Sequence, residues 1–520
     1  MEKLGRSFSY LLIFFFIFGI YTSFLTKDYS QADFIRADII RGASLNVFLL
    51  TLNTVYNFIS FLFWNMLKFF SKGINILLSI QILNSIFGVM GILVFYRLLR
   101  DVIDDKIVSM PVTLGLGFSY GYWRLSTGCT EDSLEIFLLL TTIFIIWKTI
   151  KKNKFILWVY LGIAHSLATV ANHSNSILIL AVLANLFLVK DKILNRLKCV
   201  FGYMSTFLPI LLIHFSQIHV VQSYKNFTEY FFTWIFLKGP AAHHFKFTLS
   251  GISHIIFQHF KVVAGGSIFF DKLRAFKFDF LAAFLFSLAL VIALVFAYLF
   301  FVLIKDRKAI FKNYYKIIAI AILFMISFSF IYATGQQKSS LYLIRNMIPI
   351  WLIMGIVIGH LKDAIKEWTI AVVFTLPFLL FTINFFGGVL QNSDVKNIDE
   401  FQFISFFDDY VKPEDLILLS NAYNVDKLLQ WYINYFTDRN VARINPAIQV
   451  DKAIKNKIDN YIQSKAKTFW IATLQIQGDF NAGDIRSRNI LEKMGYRLVK
   501  IATYYGRNVY YGSSIYQIKH

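Results

Sequence analysis

Apolar residues in this chain fall in long unbroken runs, not in the alternation of a half-buried strand or the stripe of a surface helix. Runs of roughly 20 residues match the thickness of a bilayer core. They lie at Phe8–Thr26, Ile74–Tyr96, Ile107–Trp123, Leu134–Trp147, Phe155–Ala171, Ser174–Val189, Val200–His219, Phe280–Ile304, Ile317–Ala333, Ile344–His360 and Thr369–Val389. The pattern predicts a polytopic α-helical membrane bundle of about eleven spans. The first run follows Lys3 and Arg6 but is long and lacks a small-residue cleavage site, so it reads as an uncleaved anchor.

After Gln391 the pattern changes to short apolar segments separated by charged, helix-period stretches. Asp415–Ser420 and Thr468–Leu474 predict buried strands, and Asn424–Phe436, Asp451–Ser464 and Asp484–Met494 predict helices, the last capped by Gly495. Tyr496–Tyr504 and Asn508–Ile518 predict a closing hairpin around Gly506. The division is therefore a transmembrane domain over 1–390 and a small α/β domain over 391–520. The tail has neither a GxGxxG fingerprint nor a phosphate-loop lysine motif, so no nucleotide is assigned to it.

Composition agrees with the runs: of 520 residues 57% are hydrophobic, 18% aromatic and only 16% charged, with a mean hydropathy of +0.57. These values exclude a disordered chain and a soluble globular protein of this size. The net charge of +21 is informative by position, not in total. Lys and Arg gather in alternate short loops, at Arg97, Arg100 and Lys106, at Lys148 to Lys154, at Lys190 to Lys198, at Lys305 to Lys316, and at Lys362 and Lys366. This asymmetry puts the N-terminus in the cytoplasm of a multi-pass plasma (inner) membrane protein. It leaves the loops 27–73 and 220–279 and the C-terminal domain outside. A basic balance arising in this way implies lipid contact and no nucleic-acid partner. Cys129 and Cys199 fall near opposite faces and are not expected to pair.

Away from their ends the runs hold essentially no Asp, Glu, Lys or Arg, which counts against an ion-coupled transporter. Charge collects instead at the outer ends of spans. Asp33 and Asp38 follow the first span; a carboxylate against an apolar wall suits a general base, while pairing with Arg36 and Arg41 on a solvated helix is the plainer alternative. Glu131, Asp132 and Glu135 enter the fourth span after the aromatic stretch Tyr120–Arg124, where capping and the helix dipole account for some of the acids but not for three. Arg345, four residues before Pro349, begins the tenth span and suits either a lipid headgroup or the phosphate of a lipid-linked substrate, with Lys338 as a more mobile helper. His173 sits on the outer side; no histidine spacing matches a zinc site.

An inside N-terminal anchor, an acidic first outer loop, an aromatic-then-acidic entry to span four (Trp123 to Glu131), a late Arg345 with Pro349 and an external C-terminal domain occur in that order. Together they resemble the GT-C superfamily of integral-membrane glycosyltransferases that use polyprenyl-phosphate sugars, including protein O-mannosyltransferase-like enzymes. The Asp33–Asp38 spacing departs from the family's closer acidic pair, and Ala43-Ser44-Leu45-Asn46 stands where a His-Pro-Pro-Gly-type segment often does. The resemblance implies transfer of a sugar from a polyprenyl-phosphate-linked donor to a lipid, glycan or protein acceptor at the outer face, with inversion. It implies Asp33 as base with Asp38 competing, Glu131 or Asp132 orienting the acceptor or a divalent cation, and Arg345 neutralising the departing phosphate; His173 and Lys338, by their outer placement alone, are further candidates to contact the donor phosphate. The rival reading is a lipid or polysaccharide transporter or flippase, for which only scattered polar residues such as His165, His214, Gln217 and Asn384 offer a route.

Overall fold

The computed structural model describes residues 2–42, 54–189, 192–222, 258–265, 280–334, 343–364, 366–420, 432, 436, 440–444, 452–464, 466–474, 482–505 and 512–519. They separate into two compact units, one of 1–26 and 36–391, the other of 27–35 and 392–520.

The first unit is all helix: α1 (Glu2–Ser23), α2 (Gln31–Arg41, shared between the units), α3 (Thr54–Phe70), α4 (Ile76–Ile103), α5 (Lys106–Phe118), α6 (Tyr120–Thr127), α7 (Asp132–Lys152), α8 (Phe155–Ala171), α9 (Ile179–Leu188), α10 (Ile193–Gln222), α11 (Phe280–Lys305), α12 (Arg307–Thr334), α13 (Ile344–Ala364) and α14 (Lys366–Asn384). Among the described residues, seven helices are long and apolar enough to cross a membrane, and four shorter apolar helices account for the remaining runs. In lipid the backbone must satisfy itself, which is why these runs are helical throughout. The run Ile107–Trp123 is not one helix. It breaks at Ser119, whose ψ of 134° interrupts the ladder between α5 and α6, and whose hydroxyl binds the Gly115 carbonyl at 2.9 Å.

Sequence chemistry fixes the α4–α5 turn. Asp104 takes a left-handed φ of 58°, a conformation Asp tolerates, and Asp105 caps α5 by accepting from the Ile107 and Val108 N–H groups at 2.7 and 3.1 Å. At this end of the bundle some basic residues are paired: Lys148 with Asp101, Lys362 with Asp105, and His360 with Asp306. The bundle core is aromatic, with Trp123 packed against Tyr21, Phe118, Phe381 and Phe385.

The second unit holds a five-stranded sheet in the order β2-β1-β3-β5-β4, with β1 (Leu416–Ser420), β2 (Asn440–Ile444), β3 (Thr468–Leu474), β4 (Arg497–Tyr505) and β5 (Gly512–Lys519). β1 runs parallel to both β2 and β3, and β5 antiparallel to β3 and β4. Leu416, Leu418, Trp470 and Ile518 face Ile458 of helix α16 (Lys452–Gln463) and Ile490 and Leu491 of α17 (Ala482–Lys493). Ile417, Leu419, Phe469 and Ile515 face Phe403 and Phe407 of α15 (Asp399–Asp408). Helices thus cover both faces, which explains why β1 is an unbroken apolar run. Strand β2 and helix α15 are absent from the sequence-based expectation. The expected helix 424–436 lies mostly outside the described residues, as does Gly506.

Candidate functional site

Three side chains of α4 shape the candidate site. Helix α6 ends at Thr127, and its last carbonyls need donors that lipid cannot supply. Gln81 donates to Thr26 O at 2.6 Å and to Thr127 O at 3.0 Å. Asn84 donates to Gly128 O at 2.9 Å and to Thr130 O at 2.8 Å, and the Ser85 hydroxyl to Ser126 O at 3.0 Å. The turn 126–130 is therefore fixed, and with it the acidic start of α7.

Glu131 forms an ion pair with Arg36 of α2, whose Nη1 also donates to Cys129 O at 2.6 Å. The Arg36 guanidinium lies 5.4 Å from the ring centre of Tyr56, and the Tyr56 hydroxyl donates to Asn84 Oδ1 at 2.9 Å. Burial pushes the Tyr56 phenol well up, against the pull of Arg36, so it stays a neutral donor. One turn further along α7, Glu135 takes Arg345 of α13: Nη2 donates to Oε2 at 2.8 Å and Nε to Oε1, with both side chains buried. The charges of Glu131, Glu135 and Arg345 all act on Asp132, the first residue of α7. Asn346, next in sequence to Arg345, donates to Ser329 Oγ at 2.9 Å and meets His259 Nε2 at 3.1 Å.

Asp33 belongs to the second unit. It is buried, and its Oδ2 accepts from both the Ser30 N–H at 2.7 Å and the Ser30 hydroxyl at 2.8 Å. The first of these bonds is one half of a capping box at the start of α2, with the acid three residues after Ser30. Asp38 lies on the same helix, half-buried and within the first unit.

The structure thus sets Glu131 and Arg345 in two ion pairs one turn apart along α7, Arg36–Glu131 and Arg345–Glu135, with Asp132 at the start of the same helix. His173 opens a short 3-10 turn, His173–Leu178, after α8, and Lys338 lies outside the described residues. Two members of these pairs, Arg36 and Glu135, are missing from the sequence-based assignment. Three acids at a lipid boundary need cations, and Arg36 and Arg345 are among the arginines that flank outer span ends; that balance was the available signal. Among the described residues no three His, Cys, Asp or Glu side chains gather as a metal site. Cys129 and Cys199 are both buried free thiols.

No protein-family model matches the chain, and no curated protein matches it in sequence. Solved structures do match in three dimensions. ArnT from Cupriavidus metallidurans bound to undecaprenyl phosphate aligns over 98% of this chain and 98% of its own, at 10% identity and a TM-score of 0.54. The same protein in the apo state aligns over 99% and 98%, at 10% identity and a TM-score of 0.56. At that identity the likeness is one of fold. It extends over both units, and this multi-pass membrane protein therefore has the fold of that ArnT structure.

Proposed function

We propose that the protein is a membrane glycosyltransferase that moves a sugar from a polyprenyl-phosphate-linked donor to an acceptor at the outer face of the membrane. The carrying observation is the end-to-end fold likeness to a structure with undecaprenyl phosphate bound. The ion pairs Arg36–Glu131 and Arg345–Glu135, with Asp132 at the start of the same helix, support it. A reaction that breaks a sugar–phosphate bond needs a base for the acceptor and a cation for the departing phosphate, both held in a dry setting.

Asp33 takes the proton of the attacking acceptor group, with Asp38 as the competing base. Glu131 and Asp132 orient the acceptor. As the acceptor oxygen or nitrogen bonds to the anomeric carbon, the bond from that carbon to the phosphate oxygen breaks and its electron pair stays on the phosphate. Arg345 stabilises that charge through its planar donors, exchanging part of its hold on Glu135 for the phosphate. A single displacement inverts the anomeric centre. His173 and Lys338 serve as further contacts for the donor.

The test supplies membranes containing the full-length protein with a labelled polyprenyl-phosphate sugar and follows both the label and the free polyprenyl phosphate. Covalent transfer that is lost in Asp33→Asn supports the reading. Movement of the labelled lipid across vesicles with no covalent product overturns it in favour of a flippase.

A further inference from the structure

The segment that carries Asp33 is held by one phenol of the C-terminal domain. Tyr432 is fully buried; its hydroxyl accepts from the Tyr29 N–H at 2.9 Å and donates to the Lys27 carbonyl at 3.1 Å. A second strap lies beside it, where the Lys27 N–H donates to Asn392 O at 2.6 Å. Around the phenol, four rings close a box. Phe34 meets Tyr432 edge-on at 5.1 Å, Tyr29 stacks on Phe436 at 5.7 Å, and Phe401 of α15 lies 5.1 Å from Tyr432 and 4.7 Å from Phe436.

The order of residues gives these contacts a direction. Tyr432 fixes the backbone at 27 and 29, Ser30 follows at once as the cap of α2, and both polar groups of Ser30 hold the Asp33 carboxylate. Phe34, the next residue, plugs the box. A hydroxyl that bonds two backbone groups at once leaves little freedom to the carboxylate four residues further on.

We propose that Tyr432 is a positioning residue for the reaction: the C-terminal domain, through this phenol, sets where the Asp33 carboxylate stands. The inference rests on the reading of Asp33 as the base. It gives the domain a part in catalysis that needs no ligand of its own.

The experiment compares wild type, Tyr432→Phe, Asp33→Asn and the double variant, all full-length in membranes, by transfer from a labelled polyprenyl-phosphate sugar and by hydrogen exchange of peptides covering 27–35. Tyr432→Phe keeps the ring in its box and removes only the hydroxyl. Its expected result is faster exchange over 27–35, turnover lowered about tenfold and a KM for the lipid donor within about twofold of wild type, since misplacing a reacting group costs rate before binding. In the Asp33→Asn background the same change has no further effect on transfer, because a group that acts through Asp33 has nothing left to place. Wild-type exchange over 27–35 in Tyr432→Phe overturns the clamp itself. Faster exchange with undiminished transfer, while Asp33→Asn is inactive, overturns the positioning role and leaves the base intact. Full activity in Asp33→Asn overturns the base, and the exchange data then still report whether the clamp exists.

Discussion

Arg345 and Glu135 stand 210 positions apart in the sequence and meet side by side in the bundle, with Arg345 Nη2 donating to Glu135 Oε2 at 2.8 Å. Both side chains are almost completely removed from solvent, at 4% and 1% exposure. Two charges so placed are stable only as a pair, because each alone would bear the full cost of desolvation.

Removing one partner should therefore be worse than removing both. Glu135→Ala is expected to destabilise the detergent-purified protein by about 3–5 kcal/mol, while a Glu135→Leu, Arg345→Met double variant recovers most of that loss. Thermal unfolding followed by tryptophan fluorescence measures both. Transfer activity should stay lost in the double variant, because methionine cannot stabilise a phosphate. A double variant no more stable than Glu135→Ala would mean that the pair is not the element holding α7 to α13.

At the opposite end of the bundle, Asp105 offers a pH test. Burial pushes its carboxyl up, but the bond from Lys362 and the N–H groups of Val108 and Ile107 outweigh it and hold the pKa below the ordinary carboxylate value. A depressed folded pKa contributes stability above the unfolded value near 3.9 and loses it as pH falls through the folded one. Asp105→Asn keeps the helix cap and removes the charge. At pH 7 it should be less stable than wild type, by no more than about 1 kcal/mol for a pair partly open to solvent, and the gap should narrow as the pH falls below the unfolded value. A gap that persists unchanged at pH 3 would assign the effect to the cap.

Gly162 of α8 marks a close approach of two helices. A Cβ there would overlap the hydroxyl of Thr206 and the backbone carbonyl of Tyr203, both on α10. Backbone cannot step aside as a flexible side chain can, and small residues are what let helices in lipid approach this closely. Gly162→Ala is expected to cost about 1–3 kcal/mol, read as a lower melting temperature. Gly19→Ala on α1, where a Cβ meets nothing within 4 Å, is the control and should be silent.

These three sites show unequal legibility in the sequence. The spans were readable because a bilayer imposes one length and one polarity on every crossing, and the apolar runs are helical, with Ile107–Trp123 divided between α5 and α6 and Ser174–Val189 between a 3-10 turn and α9. The break at Ser119 was not readable: Ser is an ordinary residue in a membrane helix, and the break is fixed by the Trp351 indole donating to its hydroxyl from 232 positions away. In the tail, β1 and β3 were legible as buried apolar runs flanked by charge. Strand β2, Asn440–Ile444, carries an arginine at its fourth position and becomes a strand only by pairing with β1 from Leu416↔Asn440 onward. The acids of the site were visible as a charge anomaly at the edge of lipid. Their partners were not, since Arg36 reads equally well as a partner for the aspartates of its own helix, and only the fold brings it to Glu131.

The sidedness inferred from the loops can be tested with the two native thiols left in place, because both are buried. Lys152 ends α7 and Lys452 begins α16, and both are exposed. If the basic loops face the cytoplasm, a Lys452→Cys variant in intact cells reacts with a membrane-impermeant maleimide, whereas Lys152→Cys reacts only after the membrane is opened. The two positions belong to different units, so a third variant, Lys72→Cys, before the start of α4, is added; Lys72 is exposed and lies at the same bundle end as Gln81 and the turn 126–130. It should label from outside like Lys452→Cys. Labelling of Lys152→Cys in intact cells with protection of Lys72→Cys would invert the bundle. The proposed sugar transfer would then face the cytoplasm, since the ion pairs Arg36–Glu131 and Arg345–Glu135 sit at the Lys72 end.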